Sequence, residues 1–280
     1  MRAAIVGAGD LGGAIAAALA VRDCCREIQL IDEAGSIAAG KALDIQQAAP
    51  VHRSTVRMSG SPNLSAASNA DVIVLADGAG GSGEWSGESG LALVRRLAEL
   101  NSRAPLVCAG SAQDWLIEHA VAELGLDWTR IIGAAPVALE AAVRGLIALE
   151  ASTSAGSVVV RLAGRPPARL IVAWDSATID GALASSRLDA QATARLTRRL
   201  PYLWPPGPVA LAAAAAVVVD GLTRGSRTPL HALVALSRPG LQGRRAVLAS
   251  VRLTTGRVLS ATLADLPPSA QVAIDNLLAR

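Results

Sequence analysis

The sequence contains no phenylalanine, one tyrosine and three histidines among its 280 residues. With so few aromatic rings, the interior must be built from Ala, Leu, Val and Ile, and a base-stacking platform for nucleic acid is not expected. The net charge is only +3, and acidic and basic residues are interspersed along the chain. Because nucleic-acid-binding surfaces need clustered positive charge, we expect no nucleic-acid partner.

Long apolar runs and cysteines are also scarce. The nearest candidate for a membrane span, Val209 to Val219, has eleven residues, where a bilayer needs about 20, and it predicts a buried helix. The chain begins directly with a strand pattern rather than a signal peptide. Cys24, Cys25 and Cys108 offer no disulfide framework, and we expect buried, reduced thiols and no metal site. These features predict a cytoplasmic protein without a membrane partner.

What organises the chain is its first 32 residues. An apolar run, Ala3 to Val6, is typical of a strand buried on both faces. An Ala- and Leu-rich segment, Leu11 to Val21, predicts a helix, and a second apolar run, Ile28 to Ile31, is followed by an acid. Between the first strand and the helix, three glycines have the spacing G-x-G-x-x-G: Gly7, Gly9 and Gly12. This order predicts a dinucleotide-binding turn.

Each glycine in this pattern has a physical task. Gly7 permits the tight turn, Gly9 lets backbone N–H groups approach a pyrophosphate, and Gly12 lets the helix pack close to the strand. The helix N-terminus adds partial positive charge for the phosphates. Asp32 stands where a carboxylate binds the adenosine ribose, and its charge would repel a 2′-phosphate, which favours NAD over NADP. We therefore predict that NAD is bound by these residues: Gly7, Gly9, Asp10, Leu11, Gly12, Asp32 and Gly78.

Strand and helix patterns alternate through the first half of the chain. Strands are predicted at Ser54 to Ser59, Asp71 to Ala76, Pro105 to Ala109 and Arg130 to Gly133. Helices are predicted over 39–50, from Leu91 onward and at Trp115 to Leu124, while a Gly/Ser-rich run, Asp77 to Gly90, is predicted to be irregular. This alternation predicts an α/β fold with a doubly wound parallel sheet, the Rossmann arrangement, over residues 1–135.

The texture changes in the second half. A helix is predicted from Pro136 to Ala151, followed by two β-like runs split by Arg165-Pro166-Pro167. Further patterns follow in order: helices at Ala190 to Leu200 and Pro208 to Leu222, strands at Pro229 to Ser237, Ala246 to Leu253 and Arg257 to Leu259, and a helix at Ser269 to Leu278. We predict a second, mixed α+β domain over residues 136–280.

Segments along nearly the whole chain resemble the lactate/malate dehydrogenase family. They are GAGDLGGAIA at 7–16, LIDE at 30–33, AAGKALDIQQAAP at 38–50, DVIVLADGAG at 71–80, GESGLALVRRLAELN at 87–101, RIIG at 130–133 and AWDSATIDG at 173–181. The resemblance implies NAD binding, assembly into dimers or tetramers, and hydride transfer between nicotinamide and a small 2-hydroxy or 2-oxo acid. A small carboxylate is therefore a second expected partner.

That chemistry needs a protonated His to deliver a proton, an acid behind it, and two arginines, one of them on a mobile loop. By resemblance, Gly90 occupies the place of the loop arginine in Glu88-Ser89-Gly90-Leu91, and Pro166 that of the histidine in Gly164-Arg165-Pro166-Pro167. Glu140 stands for the acid, and Arg144 falls one place late for the carboxylate-binding arginine. The family's Asn-Pro pair near the nicotinamide matches Ser111-Ala112.

We therefore expect an NAD-binding relative of the family without its hydride-transfer activity. The three histidines are interpreted as a solvated loop residue, an exposed helix residue and a satisfied core or edge residue: His52, His119 and His231. Glu84 and Glu88 are expected to be solvated, and Trp85 to pack against its own protein. Two alternatives stay open: an active dehydrogenase with a different substrate and a relocated acid, and a structural or regulatory subunit that binds no ligand.

Overall fold

The computed structural model describes residues 1–81, 83–167, 169–237, 243–268, 271–272 and 274–275. Most of the helix predicted at Ser269 to Leu278 lies outside these residues. Among the described residues, no single helix is long and apolar enough to cross a membrane. Ala190–Leu203 and Pro208–Arg224, bent by 90° against each other, meet the length and composition criteria only when taken together.

Six parallel strands form the first half of the fold, as the alternating pattern predicts. They are β1 Arg2–Val6, β2 Glu27–Ile31, β3 Arg57–Ser61, β4 Val72–Leu75, β5 Leu106–Cys108 and β6 Ile131–Gly133. The helices between and after them are α1 Asp10–Arg22, α2 Gly35–Ala48, α3 Gly87–Leu100, α4 Asp114–Ala122 and α5 Ala135–Glu150. The strand order β3-β2-β1-β4-β5-β6 confirms the doubly wound sheet.

In the part that the structure describes, the second half contributes further strands and helices. The strands are β7 Val158–Val159, β8 Leu162–Arg165, β9 Arg169–Val172, β10 Thr178–Ile179, β11 Ala182–Leu183, β12 Leu230–Ser237, β13 Arg244–Thr254 and β14 Arg257–Thr262. The helices are α6 Ala190–Arg199 and α7 Pro208–Arg224. β8 and β9, which lie in the two predicted β-like runs, pair antiparallel. β12, β13 and β14 pair antiparallel and extend the main sheet to nine strands.

The main sheet becomes continuous where β12 runs antiparallel to β6, with Leu233 opposite Gly133. A Cβ atom on Gly133 would lie 2.9 Å from both the Cβ of Leu233 and a methyl carbon of Ile117, so glycine permits this close approach. Local sequence patterns do not reveal this pairing, since the two strands lie about a hundred residues apart. The domain boundary at residues 135 and 136 stays a prediction.

Apolar residues on alternate positions of β1 divide the core into two layers. Ala4 and Val6 belong to the layer under α3, α4 and α5, whereas Ala3 and Ile5 belong to the layer under α1 and α7. The central strands of the sheet are therefore buried on both faces, as their continuous apolar sequences require. The three cysteines are buried and unpaired, as expected.

Helix α3 begins at Gly87, four residues before the predicted start at Leu91. Gly87 and Gly90 lower the helical propensity of this first turn, but Gly90 is buried, and the site of its missing Cβ lies 3.1 Å from the backbone of Trp85 and 3.4 Å from Leu116. The packing of Gly90 against Trp85 and Leu116 therefore determines where this helix starts. The prediction that residues 87–90 are irregular was wrong.

Candidate functional site

The turn between β1 and α1 has the geometry that its glycines predict. Gly7 has φ of +109°, a conformation that disfavours any side chain, and its N–H donates to Ile31 O at 2.8 Å. A Cβ atom on Gly12 would overlap the backbone oxygen of Gly7. Helix α1 starts immediately afterwards at Asp10, so the N–H groups of its first turn, which need partners from outside the helix, lie at the carboxyl ends of β1 and β4.

Asp32 lies beside this turn and is held by backbone donors. Its carboxylate accepts the N–H groups of Ala8 and Ala79 at 2.8 Å and that of Ala34 at 2.9 Å. Burial alone raises the pKa of Asp32, but these three hydrogen bonds and the charge of Lys41 outweigh it and hold that pKa below its ordinary value. Because a carboxylate has about four acceptor positions, it keeps room for one ribose hydroxyl.

Asp77, directly after β4, projects its carboxylate onto the N-terminus of α1. The carboxylate accepts the N–H of Gly12 at 2.9 Å and that of Leu11 at 3.2 Å. A Cβ atom on Gly9 would overlap the carboxyl group itself. The space that Gly9 leaves for a pyrophosphate therefore holds an internal anion. We name residues 77–81 and 83–86 the acidic strap, since they carry Asp77 at one end and Glu84 near the other.

A pocket of about 260 Å³ remains next to the glycine turn. Its lining residues are Ala8, Gly9, Asp10, Ile37, Lys41, Asp77, Gly78, Ala79, Gly80 and Gly81. Lys41, the single lysine of the chain, donates to Gly9 O at 2.7 Å, and its Nζ lies 3.8 Å from the Asp10 carboxylate. This volume falls below the roughly 300–1,000 Å³ of ordinary ligand pockets.

Glu84 occupies a second set of backbone donors, at the carboxyl end of β5. It accepts the N–H and Oγ–H of Ser111 at 2.7 and 2.9 Å and the N–H of Ala112 at 2.8 Å. A Cβ atom on Gly110 would overlap this carboxyl group. The expectation that Glu84 is solvated was wrong, because the strap folds inward over β5. Glu88 is exposed, as expected.

Trp85 anchors the same strap by packing against the core, as predicted. Its carbonyl oxygen accepts the Nε2–H of the fully buried Gln113 at 3.2 Å. The backbone of Trp85 lies beside Gly90, the position that matches the family's loop arginine. Position 90 is therefore a buried site in the first turn of α3 rather than part of a loop, and a side chain there would point at Trp85 and Leu116.

Glu140 and the buried His231 form a pair between α5 and β12. His231 Nδ1 lies 2.8 Å from Glu140 Oε2, and its Nε2 accepts the backbone N–H of Leu162 at 3.1 Å. Because β12 is antiparallel to β6, His231 lies beyond the carboxyl end of β6, on the same sheet edge as the glycine turn. Both ring nitrogens are engaged, which matches the expectation of a satisfied core histidine.

Arg144 contacts Glu140 and a backbone carbonyl group rather than an open cleft. Its guanidinium lies 3.8 Å from Glu140 Oε1, and its Nε–H donates to Ala155 O at 3.0 Å. Pro166, at the position of the family's histidine, is buried in the turn between β8 and β9. It can neither donate nor accept a proton through its side chain.

Arg165 and Asp114 belong to a partly buried ion cluster. Arg165 Nε lies 2.6 Å from the Asp114 carboxylate, and its Nη1 lies 3.8 Å from Glu118. Glu118, only 5% exposed, also binds the guanidinium of Arg245 and accepts the N–H of Ala246 at 3.3 Å. These contacts join α4 to β8 and β13, so the guanidinium of Arg165 is already paired with acids of its own chain.

The other two histidines lie away from this edge. His119 stacks on Trp115 within α4, with ring centroids 3.8 Å apart, and His52 is exposed in a short turn after α2. A larger pocket, about 840 Å³, lies between Trp174 and α6. None of the residues predicted to bind NAD lines that pocket.

A glycine turn between β1 and α1, an acid after β2 and a doubly wound sheet define a dinucleotide-binding fold of the dehydrogenase type. Residues 1–104 match the family model described as lactate/malate dehydrogenase, NAD binding domain. The chain belongs to the lactate/malate dehydrogenase family. The cofactor of this domain is NAD.

Individual relatives agree with this assignment. The chain is 28% identical to a malate dehydrogenase of Thioalkalivibrio sulfidiphilus over 99% of this chain and 95% of that protein. It is 31% identical to an L-lactate dehydrogenase of Kosmotoga olearia over 65% of this chain and 58% of that protein. The fold matches a malate dehydrogenase structure from Aeropyrum pernix with a TM-score of 0.86 at 18% identity, covering 99% of this chain and 95% of that one.

A lactate dehydrogenase from Cryptosporidium parvum, solved with lactic acid and NAD, gives a TM-score of 0.87 at 20% identity and covers 99% of this chain and 96% of that one. In the present chain, the residues fit the adenosine end of the cofactor, because Asp32 and the glycine turn are in place. At the pyrophosphate position, the Asp77 carboxylate already binds N–H groups at the N-terminus of α1.

Sequence reasoning missed the two carboxylates that fill the cleft. Asp77 was visible as an acid directly after the strand beside β1, a position at the carboxyl edge of the sheet where ligands bind. Glu84 carried no comparable signal, because its partners lie 27 and 28 residues away at the end of β5. The pairing of His231 with Glu140 spans 91 residues and was equally hidden.

Proposed function

We propose that the protein binds NAD(H) at the glycine turn and does not carry out the family's hydride transfer to 2-oxo acids. One observation carries this proposal: the imidazole of His231, which lies at the correct sheet edge, has both nitrogens bound within the protein. A nitrogen that accepts a backbone N–H has no proton to deliver to a substrate oxygen.

The chemistry of ketone reduction explains why this matters. When bound, NADH supplies the hydride, and the protein must supply a proton to the developing alkoxide and a cation to polarise the carbonyl. In this chain, Pro166 replaces the donor and Gly90 replaces the cation at the matching positions. Loss of a general acid alone lowers such rates by about 10²–10⁴-fold. The remaining residues can bind and orient the cofactor.

Two measurements on the same sample test the proposal. Calorimetric titration with NADH is expected to reveal saturable binding, which Asp32→Ala weakens. An NADH-oxidation assay at saturating NADH with pyruvate and with oxaloacetate is expected to give no turnover above the protein-free rate. An active family member serves as the positive control. Turnover at rates normal for that control would overturn the proposal.

An active dehydrogenase with a relocated acid is the second candidate. It is favoured by the Glu140–His231 pair, which places a carboxylate behind an imidazole on the sheet edge of the cofactor turn, and by relatives named as malate and lactate dehydrogenases. For this candidate, Leu162 must release Nε2 during the reaction. Activity on any 2-oxo acid that His231→Gln abolishes, while NADH binding persists, would favour it.

The remaining assignments extend the same proposal. We infer a cytoplasmic homo-oligomer, a dimer or tetramer, and a small carboxylate as a second ligand. These inferences are supported by the resemblance to the lactate/malate dehydrogenase family, which implies these properties. Sedimentation of the full-length chain tests the oligomeric state. A monomer at every concentration would remove that part of the proposal.

A further inference from the structure

We propose that the acidic strap is a built-in occupant of the cofactor cleft, which NAD must displace in order to bind. This inference rests on the proposed function, because it concerns the regulation of the same NAD site. It assigns Asp77 the place of the pyrophosphate and Glu84 a place at the nicotinamide end.

Each of the two carboxylates fills the space beside a glycine. At Gly9 and at Gly110, the space that a Cβ would fill is taken by the carboxyl group of Asp77 and of Glu84, respectively. Gly9 in such a turn leaves space for a ligand's pyrophosphate. In this chain, that space is filled by an anion of the strap itself.

The backbone N–H groups that the two carboxylates bind are ones that a cofactor would also contact. Asp77 binds the N–H groups of Leu11 and Gly12, which belong to the α1 terminus that attracts phosphate. Glu84 binds Ser111 and Ala112, which match the family's pair near the nicotinamide. Together the two carboxylates satisfy four backbone N–H groups and one hydroxyl that a ligand's polar groups would otherwise meet. A ligand anion therefore meets both competition for donors and like-charge repulsion.

The strap is held in place at both ends. Asp77 and Glu84 form an antiparallel backbone bridge with each other, and Trp85 packs against the core directly after Glu84. The bridge keeps the backbone of the strap in place when one carboxylate is removed. Each removal therefore frees only the donors that this carboxylate bound, which lie in different parts of the cleft.

This difference provides a sharp experiment with three ligands: adenosine, ADP-ribose and NADH. Affinities are measured by calorimetry for the wild type, Asp77→Asn and Glu84→Gln. Glu88→Gln is the matched control, since it removes the same charge from an exposed site one turn away. The denaturation midpoint of each variant shows that it is folded.

Asp77→Asn is expected to tighten both ADP-ribose and NADH by roughly tenfold or more, the usual scale for a competing hydrogen bond to a charged group. Glu84→Gln is expected to tighten NADH by a similar factor and to change ADP-ribose by less than about twofold. Adenosine binding and the control are expected to stay near wild type. This pattern would assign each carboxylate to its part of the cofactor.

The contrary results are separable. If the wild type binds NADH and neither variant binds it more tightly than Glu88→Gln does, the strap is not a competitor, and the proposed function stands without it. If NADH binds to none of the four proteins, NAD binding itself fails and the inference fails with it.

Discussion

The Nε2 atom of His231 accepts the backbone N–H of Leu162 at 3.1 Å, on the strand that leads to Pro166. The other ring nitrogen lies 2.8 Å from Glu140. The imidazole thus ties α5 to β8 and β12. Its surroundings make it a structural link among these three elements, although it lies on the same sheet edge as the glycine turn.

Replacing His231 with Ala is expected to destabilise the protein by about 1–3 kcal/mol, because it leaves the Glu140 carboxylate and the Leu162 N–H without their buried partner. Urea denaturation gives the free energy of unfolding. His52→Ala, at the exposed turn, is the control and should change that free energy by less than about 0.5 kcal/mol. A His231→Ala variant with an unchanged free energy of unfolding would show that the imidazole ring does not stabilise the fold.

Gly9 and Gly12 are expected to respond differently to alanine. A methyl group at position 9 overlaps the Asp77 carboxyl group, whereas one at position 12 overlaps the backbone oxygen of Gly7. Truncating Asp77 relieves only the first overlap, so Asp77→Ala should restore stability to Gly9→Ala but not to Gly12→Ala. Thermal melts of the two double variants and their parents measure this. Equal rescue of both would contradict the geometry.

The carboxylate of Asp32 is expected to stabilise the protein in a pH-dependent manner. Its pKa is lowered in the folded state, against an ordinary value of about 3.9. The contribution is therefore fully present above that value and is lost as pH falls through the lower folded-state pKa. In Asp32→Asn, the side-chain NH₂ group replaces a carboxylate oxygen and cannot accept a hydrogen bond from the backbone N–H groups that Asp32 binds.

The stability difference between wild type and Asp32→Asn is consequently expected to be large at pH 7 and to shrink below about pH 4. Urea denaturation across that range checks it. A stability difference between the two proteins that grows as the pH falls would contradict this prediction.

Glu118 is expected to be the most sensitive acid of α4. Glu118→Gln removes the charge that faces Arg165 and Arg245 at a site only 5% exposed. Because the side chains of Arg165 and Arg245 are 23% and 34% exposed, the expected loss in the free energy of unfolding is about 1–3 kcal/mol, the usual cost of a lost partner. Glu99→Gln, at an exposed site on α3, is the control and should be nearly neutral. A stability loss no larger than the control's would show that the two guanidinium groups do not depend on Glu118.

The parts of the fold that the sequence predicts are those set by local spacing. Apolar runs place β1, β2 and β4, and three glycines with Asp32 place the cofactor turn, since each depends on neighbours within a few residues. The start of α3 was missed because the packing of Gly90 on Trp85 and Leu116 overrides its low propensity. Glu84 was interpreted as solvated because its backbone partners at Ser111 and Ala112 become neighbours only after the sheet has formed.

The central claim is that this family member keeps the NAD turn but has no proton donor for hydride transfer. Rapid mixing of the protein, preloaded with NADH at a concentration above its measured Kd, with excess oxaloacetate or pyruvate tests it most directly, because NADH absorbance reports a single turnover. The account predicts that the absorbance stays constant while NADH remains bound. A decay at the rate of an active family member, abolished by His231→Gln, would contradict it.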